Sequence, residues 1–363
     1  MKEEGRVNSE QIFFLVLNFL LASAFIMIPS TVTGKAGKDG WAAILIATGA
    51  GSLLSMLYTA LCIRFSGRTI IQFAQEIMGK IPGKILGIIF VWFALHLGAL
   101  VLRNFGDFMV ISLMPSTPLI VFNAVVMLIA VMAVYRGIEV LCHFNLMLVP
   151  VILSSMAVII IFSFTIHDFD AANLLPLFES GFSRVLKTSL IPLTFPFGES
   201  VLFLMIFPCM SVPRDTKKIM VGAILAAALI MAVITAETVA VFGSNAKNLM
   251  YSTHSMIRCI ELAQIFERTD AITIVIWILS GVIKISVCFY AFVKGCAQLF
   301  ALKDYRPIVV PSGIIMTALS ILVYENVIEQ TEFASKIWPL YSLVFELLLP
   351  LMLITFDSVK KVF

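Results

Sequence analysis

The sequence predicts an all-α integral membrane protein of about ten transmembrane helices, arranged as five plus five in an inverted repeat. Three observations carry that expectation. The 363 residues are 60% hydrophobic and only 13% charged, about half the charge of a typical soluble domain, and the mean hydropathy is +1.04. Apolar runs of the roughly 20 residues needed to cross a bilayer recur from residue 11 to residue 356 without an intervening polar block. The first and sixth of these runs are interrupted at corresponding places.

In chain order, spans are expected at about 11–33, 41–63, 85–113, 117–135, 139–163, 183–210, 219–242, 270–301, 308–327 and 334–356. The chain 1–363 reads as one membrane domain, with repeats at about 11–163 and 183–356. Leu15 to Leu21 followed by Ala22-Ser23-Ala24 imitates a cleavable signal core. Glu3, Glu4 and Glu10 outnumber Lys2 and Arg6, however, and the apolar run continues through Phe25 to Ile28, which favours a retained helix. Turn signals such as Gly34-Lys35-Ala36-Gly37-Lys38-Asp39-Gly40 and Ser211-Val212-Pro213-Arg214-Asp215 separate the spans. Two connections have a helical stripe of their own, 69–79 (Ile70, Phe73, Ala74, Ile77) and 251–266, and are expected to lie at the membrane interface.

Orientation follows from the Lys and Arg of alternate loops. The segments on the amino-terminal side hold 14 of the 25, those on the opposite side 8, and Arg103, Lys284 and Lys294 fall inside spans. Both termini are therefore expected in the cytoplasm.

Composition and motifs exclude several function classes. The six cysteines form no C-x-x-C pair and have no His at ligand spacing, so they read as buried small hydrophobes rather than as a disulfide frame or a metal site. No P-loop, H-E-x-x-H or G-x-S-x-G is present, no nucleophile–base set is visible, and no cofactor is implied. A net charge of +3 is too small to argue for nucleic acid.

The interruptions are the informative feature. The first span carries Ala22-Ser23-Ala24 and then Pro29; the sixth carries Pro192 and Phe195-Pro196-Phe197-Gly198-Glu199. Proline removes a backbone donor and small residues let the chain leave helical geometry. Paired breaks in corresponding halves point to a midplane binding site, because half-helix ends offer unpaired N–H and C=O groups to a polar ligand.

These residues also carry a resemblance. Ala22-Ser23-Ala24-Phe25-Ile26-Met27-Ile28-Pro29 and Phe195-Pro196-Phe197-Gly198-Glu199 resemble the broken first and sixth helices of amino acid/polyamine/organocation permeases. Ile28-Pro29-Ser30-Thr31 with Gly37-Lys38-Asp39-Gly40-Trp41, Asn173-Leu174-Leu175-Pro176 and Phe266-Glu267-Arg268-Thr269-Asp270 resemble the B subunit of spore nutrient germinant receptors. The resemblance covers the whole chain. It implies a LeuT-type fold in the spore inner membrane, acting with an A subunit and a lipoprotein C subunit, that recognises a small nutrient such as an amino acid and signals germination. Where many permeases have Gly-Ser-Gly in the first break, this chain has Ala22 and Ala24 around Ser23. The alternative function is an autonomous amino-acid transporter, proton-coupled through Lys284 or Glu199, and a third is a scaffold that only holds its partner subunits.

Ionisable groups inside spans are costly, about 2.5–3.5 kcal/mol at mid-helix on insertion scales. Arg103 and Asp107, four apart, are expected to pair, and Lys294 to snorkel. Glu237 and Glu346 have no partner visible in the sequence. His96 faces either its packing neighbours or the site; the opposite choice of face turns Leu97 and Val101 inward. The candidate ligand set is therefore Ala22, Ser23, Ala24, Phe25, His96, Leu97, Val101, Phe195, Phe197, Gly198 and Glu199. Lys284, on the order of 20 Å or more from either end of its span, cannot snorkel. It is expected to be neutral, or paired with a carboxylate or with carbonyls freed by the first break. In the resembled fold it would replace a coupling cation.

Overall fold

The computed structural model describes residues 6–179, 181–260 and 270–360, and these are almost entirely helical. The first span is two helices, α1 (Ser9–Leu21) and α2 (Ala24–Ala36). A capping box starts α1: the Asn8 side chain accepts from Gln11 N at 2.8 Å, and the Gln11 side chain accepts from Asn8 N at 3.0 Å, satisfying two otherwise orphan donors. Then follow α3 (Gly40–Arg64), α4 (Ile70–Met78), α5 (Lys80–Ser112), α6 (Leu119–Arg136) and α7 (Ile138–Ser163). Gly137, at φ 103°, makes the turn between α6 and α7, a conformation that a side chain resists.

The sixth span begins as α8 (Phe182–Thr188) and α9 (Leu190–Pro192), unwinds through a π-helical stretch Leu193–Phe197, and continues as a 3-10 helix Gly198–Met205. After it come α10 (Thr216–Phe242), α11 (Ser252–Arg258), α12 (Asp270–Leu299) and α13 (Arg306–Leu322). The tenth span is α14 (Val327–Glu332), α15 (Trp338–Leu343) and α16 (Leu349–Lys360), joined by π-helical turns at Phe333–Ile337 and Val344–Leu348. Among the described residues eight helical stretches are long and apolar enough to cross a membrane, and Ser9–Leu21 and Arg306–Leu322 are shorter apolar helices beside them.

Two sequence expectations need revision, the boundary of spans nine and ten and the snorkelling of Lys294, and the two short connecting helices are seen to pack on the bundle. Span nine stops at Leu322, and span ten starts seven residues early, because Asn326 accepts from Ile328 N and Glu329 N and caps a new helix. Helix α4 packs its expected apolar stripe on the bundle: Ile70, Ile71, Phe73, Ala74 and Ile77 are buried, and a Cβ on Gly83 of α5 would come within 2.3 Å of Gln75. Of the segment 251–266, residues 251–260 are described; they hold α11, whose Ser252, Thr253, His254, Met256 and Ile257 are buried, with Thr253 donating to Phe25 O at 3.2 Å; the rest of that stretch and most of the Phe266–Asp270 motif lie outside the described residues. Finally, Lys294 does not snorkel. It is 4% exposed and donates to the Tyr290 hydroxyl one turn back and to Cys209 Sγ at 3.7 Å.

The two ends of the bundle are stitched differently. At the amino-terminal end, Val7 N donates to Cys209 O and Ser211 N to Val7 O, both at 3.0 Å, and Ser9 Oγ donates to Asp215 at 2.8 Å. On the same helix Gln11 meets His143 at 3.1 Å and Asn18 donates to Asn145 at 2.7 Å, tying α1 to α7. Arg64 and Asp357 pair there as well, joining α3 to α16. At the far end, Phe178 N donates to Asp39 at 2.8 Å, and Arg103 pairs with Asp107 at 2.8 Å, as their spacing predicts. Arg103 also donates to the carbonyls of Ile321 and Tyr324, at 2.9 and 2.8 Å, which fixes the turn between spans nine and ten.

Candidate functional site

The first break is two residues wide. Ala22 N still donates to Asn18 O at 2.9 Å, but Ala22 has φ −30° and ψ −94°, and the helix resumes only at Ala24. Small side chains on both sides permit this turn inside the core, where Ala22, Ser23, Ala24 and Phe25 are all buried. Ser23 Oγ has no hydrogen-bond partner among the described residues. The first N–H groups of α2 and the last carbonyls of α1 meet here, the two poles of two half-helices.

The sixth break centres on Phe195, whose φ −130° and ψ 105° are not helical, followed by Pro196. Phe197 turns away from the first span: a Cβ on Gly51 of α3 would meet its ring carbons at about 3 Å. Gly198 is required by a close approach, since a Cβ there would lie 2.1 Å from Glu346 Oε2. Tyr58 of α3 braces the same point, donating to Glu346 O at 2.7 Å with Gly198 O at 3.2 Å.

Lys284 and Glu199 form an ion pair at 2.6 Å, and both are buried, at 0% and 1% side-chain exposure. Of the states open to Lys284 from the sequence, the structure selects pairing with a carboxylate. The ammonium also lies 4.9 Å from the centroid of Phe19 and 4.8 Å from that of Phe195, one ring from each broken span, within the range of cation–π attraction. A single cation therefore bridges α1, the sixth break and α12.

Two cavities share lining residues, and the narrower reaches this pair at Glu199. A narrow one, of about 40 Å³, is lined by Leu97, Val101, Phe195 and Glu199, together with Asn104, Phe333 and Trp338. A wider one at the far end, of about 470 Å³, is lined by Ser30, Thr31, Lys35, Lys247, Glu332 and Lys336. Met27, Gln330 and Ala334 line both, and Gln330 hydrogen-bonds Asn104 between them. The narrow cavity has room for about three waters.

The structure brings together Leu97, Val101, Phe195 and Glu199 of the predicted set, with Lys284 behind them. It places Ala22, Ser23, Ala24 and Phe25 at the adjoining break, but Phe197 against α3 and Gly198 against Glu346. His96 is not on the cavity; it stacks on Trp92 at 5.5 Å and its Nδ1 meets the Tyr341 hydroxyl at 3.0 Å. Sequence reasoning missed Tyr58, Asn104, Gln330 and Trp338. A tyrosine inside an apolar span needs a partner for its hydroxyl, and that signal was available for Tyr58.

The overall arrangement is that of transporters whose first and sixth helices are broken. The crystal structure of MhsT in complex with L-phenylalanine superposes with a TM-score of 0.68 at 13% identity, covering 98% of this chain and 99% of that one. Mhp1, a nucleobase-cation-symport-1 family transporter in a closed conformation with bromovinylhydantoin bound, gives 0.70 at 12% identity, covering 94% and 76%. At the level of sequence, the family described as spore germination protein, a spore permease family, matches residues 6–328. The chain belongs to that family. It is 28% identical over 362 residues to spore germination protein KB of Bacillus subtilis (strain 168), covering 99% of this chain and 96% of that protein.

Proposed function

We propose that this multi-pass membrane protein is the germinant-sensing subunit of a spore nutrient receptor. It binds a small nutrient, such as an amino acid, at the bilayer midplane and signals germination through an A subunit and a lipoprotein C subunit. The observation that carries the reading is the pair of adjoining cavities, sharing Met27, Gln330 and Ala334, of which the narrow one is lined by Glu199 and Phe195 of the sixth break. Relatives named as spore germination proteins support the process, and a structural neighbour solved with L-phenylalanine supports the ligand class. A nutrient reaches the wider cavity first. Entering the narrow one requires Trp338 and Phe333 to move and the Asn104–Gln330 bond to open, which couples occupancy to the position of span ten.

In this reading the chain is one permease-like domain with repeats at about 11–163 and 183–356, resident in the spore inner membrane with both termini in the cytoplasm. Lys284 takes the place of a coupling cation between the first and eighth spans, so the response needs no sodium. Bulky replacement of Ala22 or Ala24 is expected to raise the nutrient concentration for half-maximal germination several-fold at unchanged protein level. Unaltered dose–response curves reject the site. Cysteine labelling is expected to reach 211–218 from the cytoplasm and 244–256 from outside, and the reverse pattern rejects the orientation.

A second reading, autonomous proton-coupled transport, is favoured by the buried Lys284–Glu199 pair, since a carboxylate–ammonium pair can exchange a proton as helices move. Uptake of a radiolabelled amino acid into proteoliposomes of the chain alone distinguishes it from sensing.

A further inference from the structure

Glu346 belongs to no role assigned so far. It is 0% exposed, in the π-helical turn Val344–Leu348 of span ten. Its Oε2 accepts from Ser342 Oγ at 3.3 Å and sits over the α-carbon of Gly198; its Oε1 has no hydrogen-bond partner among the described residues. No described Lys or Arg lies within ion-pair distance, because the nearest cation, Lys284, is committed to Glu199. The charged and titratable groups that face it are few. Tyr58 comes from α3, Glu199 from the sixth span and Lys284 from α12, and Glu346 interacts electrostatically with all three. On its own span, Tyr341 is engaged with His96 of α5.

Charge balance decides the protonation. Glu199 and Lys284 cancel, so an ionised Glu346 would leave one uncompensated negative charge in the core, next to a like charge and with a single weak donor. An isolated buried carboxylate is so costly that the group neutralises instead. The neutral acid carries its own O–H and suits a site with one donor.

We infer that Glu346 is a proton-binding site, holding an exchangeable proton at the joint between the sixth break and span ten. Loss of the proton to water leaves a carboxylate, and the Lys284 ammonium then has two carboxylates to serve, one on each side of Gly198. Protonation keeps Lys284 wholly with Glu199; deprotonation draws it toward span ten. The inference does not depend on nutrient binding, since every group in it belongs to the empty chain.

The test is infrared spectroscopy of the full chain in nanodiscs, without nutrient, in potassium buffer. The wild type is expected to show a carboxylic-acid C=O band at neutral pH that shifts in D₂O and bleaches as the pH is raised. Glu346→Gln should remove its component of the band and leave that of the other buried unpaired carboxyl, Glu237 of α10. Ser342→Ala removes only the hydrogen bond and should move the frequency of the Glu346 component, which keeps the test decisive if Glu346→Gln does not fold. Replacing potassium by sodium should leave it unchanged. A spectrum with no component lost in Glu346→Gln, or a lost component that Ser342→Ala leaves in place, that is inert to both D₂O and alkali, or that sodium bleaches at neutral pH, overturns the assignment; the last outcome makes Glu346 a metal-cation ligand. Because nutrient is absent, none of these outcomes bears on the sensing role.

Discussion

The two broken spans solve the same problem with opposite means. At Ala22–Ser23 the chain leaves helical geometry for two residues between apolar walls, and the only polar side chain, Ser23, is left without a partner. The sixth span departs for more than a dozen residues, Leu193–Met205, and is braced throughout: Glu199 holds Lys284, Glu346 packs on Gly198, and Tyr58 reaches across from α3. An unpartnered neutral hydroxyl thus marks the first break, and buried charge the sixth.

The largest expected effect breaks the charged side of this contrast. Lys284→Met strands Glu199 as a buried unpaired charge and should cost about 3–5 kcal/mol, read as a lower melting temperature in detergent. Adding Glu199→Gln should recover part of the loss, because two neutral groups replace a broken pair. Equal melting of the single and double variants would show that the pair carries no such energy. Next comes Gly198→Ala: its Cβ would meet Glu346 Oε2 at 2.1 Å, and displacing that side chain should cost about 1–3 kcal/mol. An unchanged melting temperature would mean that Glu346 moves freely. The smallest effect sharpens the uncharged side. Ser23→Ala removes a buried hydroxyl with no partner, so the nutrient-free protein should be unchanged or up to about 1 kcal/mol more stable. Its nutrient response should nevertheless weaken. A clear loss of nutrient-free stability would show that Ser23 is already satisfied.

Much of this was legible in the sequence, for identifiable reasons. Ala22-Ser23-Ala24 and Phe195-Pro196 are local signals, and backbone breaks are local events, so both were placed correctly. That Lys284 needs a special environment followed from its depth alone. Its choice of Glu199, and the seat of Glu346 over Gly198, are contacts between distant segments that no periodicity encodes. Gln330 was missed because span ten was read from its hydropathy, which rises only after residue 333, whereas the Asn326 cap starts the helix earlier; Trp338 lay inside the expected span, but hydropathy does not say which face meets the cavity. Lys294 defeated the snorkelling rule because Tyr290 and Cys209 offered a nearer partner than water.

The stitching of α1 at the amino-terminal end has a mechanical consequence. Two backbone bonds through Val7, one from Ser9 to Asp215 and two side-chain bonds to α7 clamp the half-helix to the end of the sixth span, to the start of α10 and to α7. At about 1 kcal/mol each, such a latch stores about 5 kcal/mol, and unlatched molecules would number on the order of one in several thousand. Helix α1 is therefore not a lever free to swing. It is a bolt in its keeper, and any movement that clears this end of the bundle must either draw all five contacts at once or carry the head of α10 along with it.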